Sequence, residues 1–385
     1  MTAASIGTAP AAWPEQTSAP GTCRIAEGEA IIALRDEWMA FAGCSIVDNI
    51  FFDAGFAIPA IAHLHPSGIG VALTHDVRGG PLAVAPFTRT RLGRIAPAVR
   101  LWGNKYAPLG VPLLAGDDPV TALDSLVQGL VPASSGRSLI VPDVETDSPV
   151  AAALVAIAED GDRPLTALHM HERALLTRQN ASIVRGQGGS HRKGLRRMLR
   201  RLEDLGEVSF DVATQTDTVG ARLEEFLAIE QAGWKGRRGT ALTSTGATAA
   251  FAREAVLGLA AVGRARVHSL RLDDQPIAAL ISFIAGATAY TWKIAYDEAY
   301  ARFSPGVQLI ARVPEQLFDN AAVQRIDSCA GADHAMIERF WPERLAIASY
   351  VLGPPGGGAV HAVGLAAARA ELAARASARQ LLNRR

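Results

Sequence analysis

RVHSLRLDDQPIAALISFIAGATAYTWKIAYDEAYARFSPGVQL, residues 266–309, decides the fold. Its segments 266–272, 276–285 and 288–296 are rich in aliphatic and β-branched residues. The turns between them, Asp273-Asp274-Gln275 and Ala285-Gly286-Ala287, have hairpin character, so three successive antiparallel strands are predicted. Ser304-Pro305-Gly306 then opens a helix running to 318. Serine suits the N-cap, proline the first turn, and glycine a close backbone approach.

Upstream of this stretch the pattern predicts a strand at 208–212, a helix at 219–232, a glycine- and arginine-rich loop at 233–241 and a helix at 247–261. Downstream it predicts a strand at 323–328, a short helix at 334–340 and a strand at 345–352. A helix at 191–206 precedes them all, with Leu195, Met198, Leu199, Leu202 and Leu205 at helical spacing. The earlier half alternates in the same manner. A helical stretch at 27–41 is followed by apolar runs at 70–73, 81–86 and 138–142, helices at 119–130 and 149–159, and a strand at 165–176. The alternation predicts a mixed α/β chain. Four regions are expected: an unstructured lead (1–22), a first domain (23–184), a second domain (185–353), and a Gly/Pro linker with an Ala/Arg-rich helical tail (354–385).

Net charge is zero and 49% of residues are hydrophobic, which speaks against intrinsic disorder and against a global field for nucleic acid. The three cysteines, Cys23, Cys44 and Cys329, show no CxxC spacing, which suggests a reducing compartment and no cysteine zinc site. The lead has no basic and apolar signal-peptide pattern, and no long uncharged apolar run predicts a membrane span. A cytoplasmic protein is expected, with no nucleic-acid partner and no metal. Of 38 basic residues only Lys105, Lys193, Lys235 and Lys293 are lysines, so each is a pointer to a place that needs an ammonium.

Five strings in order, KGLRRMLRRLEDLG (193–206), EQAGWKGRRGTAL (230–242), TWKIAYDEAYARFSPGVQL (291–309), DSCAGADH (327–334) and FWPER (340–344), resemble the BioF2-like acetyltransferase domain. That group is also labelled CelD/BcsL-type, belongs to the GNAT superfamily, and is similar to the FemAB-like double-GNAT enzymes. The resemblance covers about 186–352. The first half shares only its alternation and the phrase LWGNKYAPLGVPLL (101–114). The implied architecture is a pair of tandem GNAT-like domains, the N-terminal one degenerate. The implied activity is direct acyl transfer from acetyl-CoA or another acyl-CoA to an amine or hydroxyl. FemAB-like relatives use aminoacyl-tRNA and carry a coiled-coil insertion between helices, which has no counterpart in this sequence.

The implied donor site is the start of the helix after the third strand, Phe303, Ser304, Gly306, Val307 and Gln308, where free amides and the helix dipole suit a pyrophosphate. An ordinary capped helix is the other reading, and the glycine signature usual in GNAT sequences is incomplete. Lys293 either faces a phosphate or developing oxyanion, or covers an open sheet face. Strand alternation predicts Trp292, Ile294 and Tyr296 on one face and Lys293 with Thr291 and Ala295 on the other. Trp234, Lys235 and Arg237 make a phosphate-binding loop or a solvated turn. Glu230 is a candidate base or a surface glutamate. Asp327 ends a strand, where ligands gather, and is a candidate catalytic group. His334 is a candidate base or acid, while Asp333 before it also reads as the N-cap of the helix that follows. Tyr296, Asp297 and Glu298 position an acceptor or cap the loop before Tyr300. Lys193 opens a cationic helix that binds an anion or is simply solvated. His63 with His65, and His169 with His171, lack neighbouring carboxylate or cysteine clusters and read as structural.

The function expected is transfer of an acyl, most simply acetyl, group to a small-molecule or saccharide acceptor, with a homodimer possible. The rival is a non-catalytic GNAT-like accessory protein of polysaccharide or cell-envelope biosynthesis.

Overall fold

A computed structural model describes residues 20–65, 67–133, 135, 137–181, 190–331 and 335–383. The first half contains β1 (Pro20–Glu27), α1 (Arg35–Cys44), α2 (Ala54–Leu64), β2 (Gly70–Asp76), β3 (Pro81–Leu92), β4 (Ala96–Leu101), β5 (Leu113–Leu114), α3 (Pro119–Ala133), β6 (Ser138–Glu145), α4 (Pro149–Asp160) and β7 (Leu165–Thr177). The second contains α5 (Ser190–Glu203), β8 (Val208–Ala213), α6 (Thr216–Ala232), the short α7 (Trp234–Arg237), α8 (Gly246–Ala261), β9 (Ala265–Leu272), β10 (Gln275–Ala285), β11 (Thr288–Tyr296), α9 (Pro305–Phe318), β12 (Arg325–Asp327), α10 (Ala335–Glu338) and β13 (Glu343–Leu352). α11 (Ala359–Asn383) follows. β1 begins inside the segment expected to be unstructured, whose residues 1–19 lie outside the described ones. The glycine-rich stretch at 182–189 lies outside them too.

The thirteen strands of the described residues form one sheet in the order β1-β2-β3-β4-β6-β13-β7-β12-β11-β10-β9-β8, with β5 added beside β3. The same plan occurs twice. Four antiparallel strands end in one parallel pair, β4 with β6 over 98–100 and 138–140, and β11 with β12 over 288–290 and 325–327. The halves then exchange strands: β13 from the chain's end pairs with β6, and β7 from the first half pairs with β12. Each half's row of strands is therefore extended by the other's last strand.

After three rungs each parallel pair diverges. In the first half the opening is filled by the segment at 102–112, whose Trp102, Tyr106, Ala107, Leu109 and Val111 are buried. Gly110 lies so close to Pro142 that a Cβ there would come within 2.2 Å of its ring. In the second half the gap stays open and forms the cleft described below.

Aromatic edges join the halves. Phe56 of α2 meets Phe251 of α8 at 5.3 Å and 89°, and Trp292 of β11 at 5.7 Å and 84°. These edge-to-face contacts contribute beyond the area they bury. α2 and α8 cross closely, since a Cβ on Gly258 would sit 3.3 Å from the Gly55 carbonyl. One large core thus runs through the first half and onto one face of β10 and β11. A second core on the opposite face is built from α9, α5, Phe340 and Trp341. α11 docks on the body across β3 and β4, and its His361 bonds Ser138 at the start of β6 at 2.9 Å.

The face assignment on β11 needs correction. The pairing register steps from Ile281–Lys293 to Ser282–Thr291, which leaves Trp292 as a bulge residue. Trp292 therefore packs with Phe283 and Phe251 in the first core, while Ile294 and Tyr296 face the second. Lys293 lies on the Trp292 side, 5.6 Å from that ring and 4.8 Å from the Tyr106 ring.

Candidate active site

Where β11 and β12 part, a cleft of 350 Å³ passes from one face of the sheet to the other. Ile294, Tyr296, Gly306 and Ile310 line it on the α9 side. Glu230, Lys235, Trp292 and Lys293 line it on the α6 side, and Ser328 and Cys329 form its strand-end wall. Thr291 closes the divergence by donating its hydroxyl to the Ser328 carbonyl at 3.0 Å.

Glu230 projects from the last turn of α6 and is 3% exposed. One carboxylate oxygen accepts from Lys235 Nζ at 2.8 Å, the other from the Leu242 amide at 2.7 Å. Lys235 also donates to the Ile294 carbonyl at 2.9 Å, which ties the α7 turn to β11. Both Glu230 oxygens are thus engaged, and the carboxylate anchors Lys235.

Lys293 is different. Among the described residues its ammonium has no ion pair and no hydrogen bond, only the Tyr106 and Trp292 rings. Burial, and after it the Lys235 charge, pull Lys293 down to about 8. It remains mostly protonated at neutral pH. Cys329 has a left-handed backbone (φ 52°), and burial pushes its thiol well above the usual range, so it stays a thiol.

The start of α9 departs from expectation. Ser304 follows a 3-10 turn, Glu298–Phe303, and takes a left-handed conformation (φ 53°) with no side-chain capping bond. An N-cap hydroxyl works from extended backbone, so the predicted cap does not form. The Val307 and Gln308 amides both donate to the Ser304 carbonyl at 3.0 Å. Proline has no N–H, so Gly306 supplies the remaining first-turn amide. A Cβ on Gly306 would lie 3.3 Å from the Tyr296 ring, and glycine keeps this end of the cleft open. Phe303 and the Gln308 side chain turn away, the first into the second core and the second onto the Leu195 carbonyl at 2.8 Å.

Of the other candidates only Trp234 lines the cleft among the described residues. Asp327 is buried in an ion pair with Arg173 of β7 and accepts from the Cys329 amide at 2.9 Å; it faces away from the cleft because Arg173 holds it. Arg237 pairs with Glu298 at 2.6 Å, and Glu298 also accepts from the Trp234 amide at 2.7 Å, so this cation braces α7. Asp297 caps the 3-10 turn through the Ala299 amide at 2.9 Å. Trp234 lines the cleft mouth, 42% exposed, under Arg238. Lys193 is exposed on α5 and lines no part of the cleft. His334 and Asp333 lie outside the described residues. His63 pairs with Glu254, and His65 contacts Asn104.

Two neighbours of the site come from the first half: Lys105, marked in the sequence only as one of four lysines, and Tyr106, which was not singled out. Asn104 and Ala107 exchange backbone bonds at 3.2 and 3.0 Å, which holds Lys105 and Tyr106 at the tip of a tight turn. The Tyr106 carbonyl accepts from the Trp292 indole at 2.8 Å. The scarcity of lysine was the available signal for Lys105, and the Lys105 ammonium also lies 4.8 Å from the Tyr106 ring. Among the described residues no cluster of three or more His, Cys, Asp or Glu could hold a metal ion, and no helix is long and apolar enough to cross a membrane.

Residues 189–335 match a family model described as an Acetyltransferase (GNAT) domain, which assigns an acyltransferase-type domain to the segment containing the cleft. No curated protein matches the chain. Among solved structures, the C-terminal domain of a putative lysylphosphatidylglycerol synthetase from Agrobacterium fabrum is similar with a TM-score of 0.56, at 15% identity over 87% of this chain and 96% of that one. FemX is similar at 0.54, with 10% identity over 83% and 95%. L-PGS from Bacillus licheniformis is similar at 0.51, with 12% identity over 87% and 96%. At such identities the likeness is one of fold. The architecture is accordingly a mixed α/β, tandem GNAT-like one, with the opening of the first unit filled.

Proposed function

We propose that the cleft transfers an acyl group from acetyl-CoA or another acyl-CoA directly to an amine or hydroxyl of a small-molecule or saccharide acceptor, in the cytoplasm. The observation that carries this reading is a cleft crossing the sheet inside the segment matched as an acetyltransferase domain, with a helix start on one side and an unpaired ammonium on the other. The resemblance of the chain's sequence strings to the BioF2-like group supports the same reading.

The donor enters on the α9 side. Gly306 lets its pyrophosphate approach the helix start, where the dipole and one free amide favour negative charge. The thioester then reaches through the gap between β11 and β12. The acceptor comes from the α6 side, and its neutral amine or hydroxyl attacks the carbonyl carbon; the carbon–sulfur bond breaks and the acceptor's proton passes to the departing sulfur, which leaves as the coenzyme thiol. Lys293 places its charge beside the oxyanion that forms, while Glu230 and Lys235 hold the α7 turn and fix the β11 wall. A preorganised charge in a water-poor cleft is the kind of group that lowers such a barrier most.

Isothermal titration with coenzyme A, followed by thiol release from acetyl-CoA and longer acyl-CoAs with amine and sugar acceptors, tests the reading. Binding and release support it. Binding of a saccharide or nucleotide-sugar with no thioester binding favours the accessory-protein reading, which the reduced set of free amides at α9 keeps in view.

A further inference from the structure

Lys235 of α7 and Lys293 of β11 line this cleft, and Lys105, exposed on the turn of the first half, stands beside it, close enough for its charge to act on Lys293; the three come from distant stretches of sequence. Like charges brought together raise the energy of the protein alone. Lys235 is compensated by Glu230. Glu298, another carboxylate near the mouth, is taken by Arg237 and the Trp234 amide. Lys105 and Lys293 have no carboxylate partner among the described residues, and each ammonium stands 4.8 Å from the centre of the same Tyr106 ring. The turn that carries Lys105 is fixed by its own backbone bonds and by the Trp292 indole, so its place is set before any ligand arrives.

We propose that the acceptor carries an anionic group, a carboxylate or a phosphate, which Lys105 and Lys293 hold at the mouth of the cleft. The proposal deepens the acyl-transfer reading and rests on it. The two faces of β11 separate acceptor from donor. The helix start suited to the donor's phosphates packs on Ile294 and Tyr296, in the second core. Lys105, Tyr106 and Lys293 lie on the Trp292 side, in contact with the first core. An anion drawn to this lysine pair therefore belongs to the molecule entering opposite the donor. The first half, its own opening filled, then acts as a specificity element for the second. The chain's net charge of zero makes the attraction local to the cleft.

The test measures thiol release from acetyl-CoA with matched acceptors: glycine against glycinamide, O-phosphoethanolamine against ethanolamine, and glucosamine 6-phosphate against glucosamine. Wild type, Lys105→Gln and Lys105→Arg are compared after their melting temperatures are shown to agree. In at least one pair the anionic member should lead by tenfold or more in kcat/KM, and added salt should shrink the lead. Lys105→Gln should remove about tenfold of that lead, equivalent to about 1.4 kcal/mol. It should leave the KM for acetyl-CoA unchanged, and Lys105→Arg should keep most of the lead. The carboxylate and phosphate pairs tell which anion is meant. Equal rates within every pair, or a raised KM for acetyl-CoA in Lys105→Gln, would overturn the proposal while leaving acyl transfer standing. If no acceptor releases thiol, acyl transfer fails instead. Calorimetric titration with glucosamine 6-phosphate, O-phosphoethanolamine and glycine then decides for the lysine pair: binding lost in Lys105→Gln supports it, and no Lys105-dependent binding overturns it.

Discussion

The indole Nε1 of Trp292 donates to the carbonyl of Tyr106 at 2.8 Å, and through this bond a strand of the second half holds the turn of the first. Trp292 can reach that carbonyl because the bulge turns it out of the Ile294 and Tyr296 face. Trp292→Phe keeps an aromatic ring against Phe56, Phe251 and Phe283 but leaves the Tyr106 carbonyl unpaired. Urea denaturation should show a loss of about 1–3 kcal/mol, the usual result of stranding one buried polar group. Trp292→Leu should lose more, because the edge-to-face contacts go as well. A Trp292→Phe protein as stable as wild type would show that the bond contributes nothing.

Arg173 and Asp327 form an ion pair about 2% exposed on each side, linking the exchanged strand β7 to β12. Arg173 also donates to the Pro108 carbonyl at 3.0 Å. Arg173→Met strands the Asp327 carboxylate and should cost about 3–5 kcal/mol. The double variant Arg173→Met with Asp327→Asn should recover part of that loss, because the stranded charge is gone. A double-mutant cycle by chemical denaturation measures the coupling, and strictly additive losses would show the pair to be independent.

The second half was legible because its strands and helices are separated by turn residues and carry clean periods. The predicted segments 276–285 and 288–296 fall within a residue of β10 and β11. α2 was missed since its sequence, AGFAIPAIAHL, is apolar on every side and contains Pro59; its residues 54–61 are buried all round, which leaves no amphipathic period to read. The exchange of β7 and β13 leaves no local trace, because pairing between residues such as Arg173 and Leu345 is a matter of tertiary packing. The same holds for Asp327: its strand-end position was readable, but the arginine that claims it lies 154 residues away. Lys293, Glu230, Lys235, Trp292, Tyr296 and Gly306 were all named from the sequence and line one cleft. Lys105 was marked only by the scarcity of lysine and Tyr106 not at all, since their half of the chain supplied only a loose resemblance.

His268 lies between Ser282, 2.8 Å from its Nε2, and Gln316, 2.7 Å from its Nδ1, and is fully buried. Burial lowers its pKa from 6.5 to about 4. The folded protein therefore stays unprotonated here while the unfolded chain takes up a proton below about 6.5. Stability present at neutral pH is lost as pH falls from about 6.5 to about 4, by about 3 kcal/mol in all. His268→Asn should be less stable at pH 7, since it forfeits both contacts, but it should lose less between those pH values. Denaturation curves at pH 7, 5.5 and 4 check this, and parallel stability profiles for the two proteins would refute it.

Lys293 joins the two sides of the argument, because stability and activity should respond to it in opposite directions. Its folded-state pKa, about 8 against the ordinary 10.5, means that burial of the charged form opposes folding. That penalty is present in full below about pH 8 and fades as pH rises toward 10.5, where the unfolded chain also loses its proton. Lys293→Met should thus melt higher than wild type at pH 7, and the gap should narrow by pH 9.5. If the ammonium stabilises the oxyanion, the same change should lower turnover on the order of 100-fold. Lys293→Arg should recover only part, since its planar fork distributes charge differently. The wild-type rate should also fall as pH rises through about 8, and Lys293→Met should lack that limb. A lysine with a purely structural role gives the reverse, a lower melting temperature with activity following it. Turnover and melting temperature of the three proteins from pH 6.5 to 9.5 separate the two, and wild-type turnover in Lys293→Met would remove Lys293 from the mechanism.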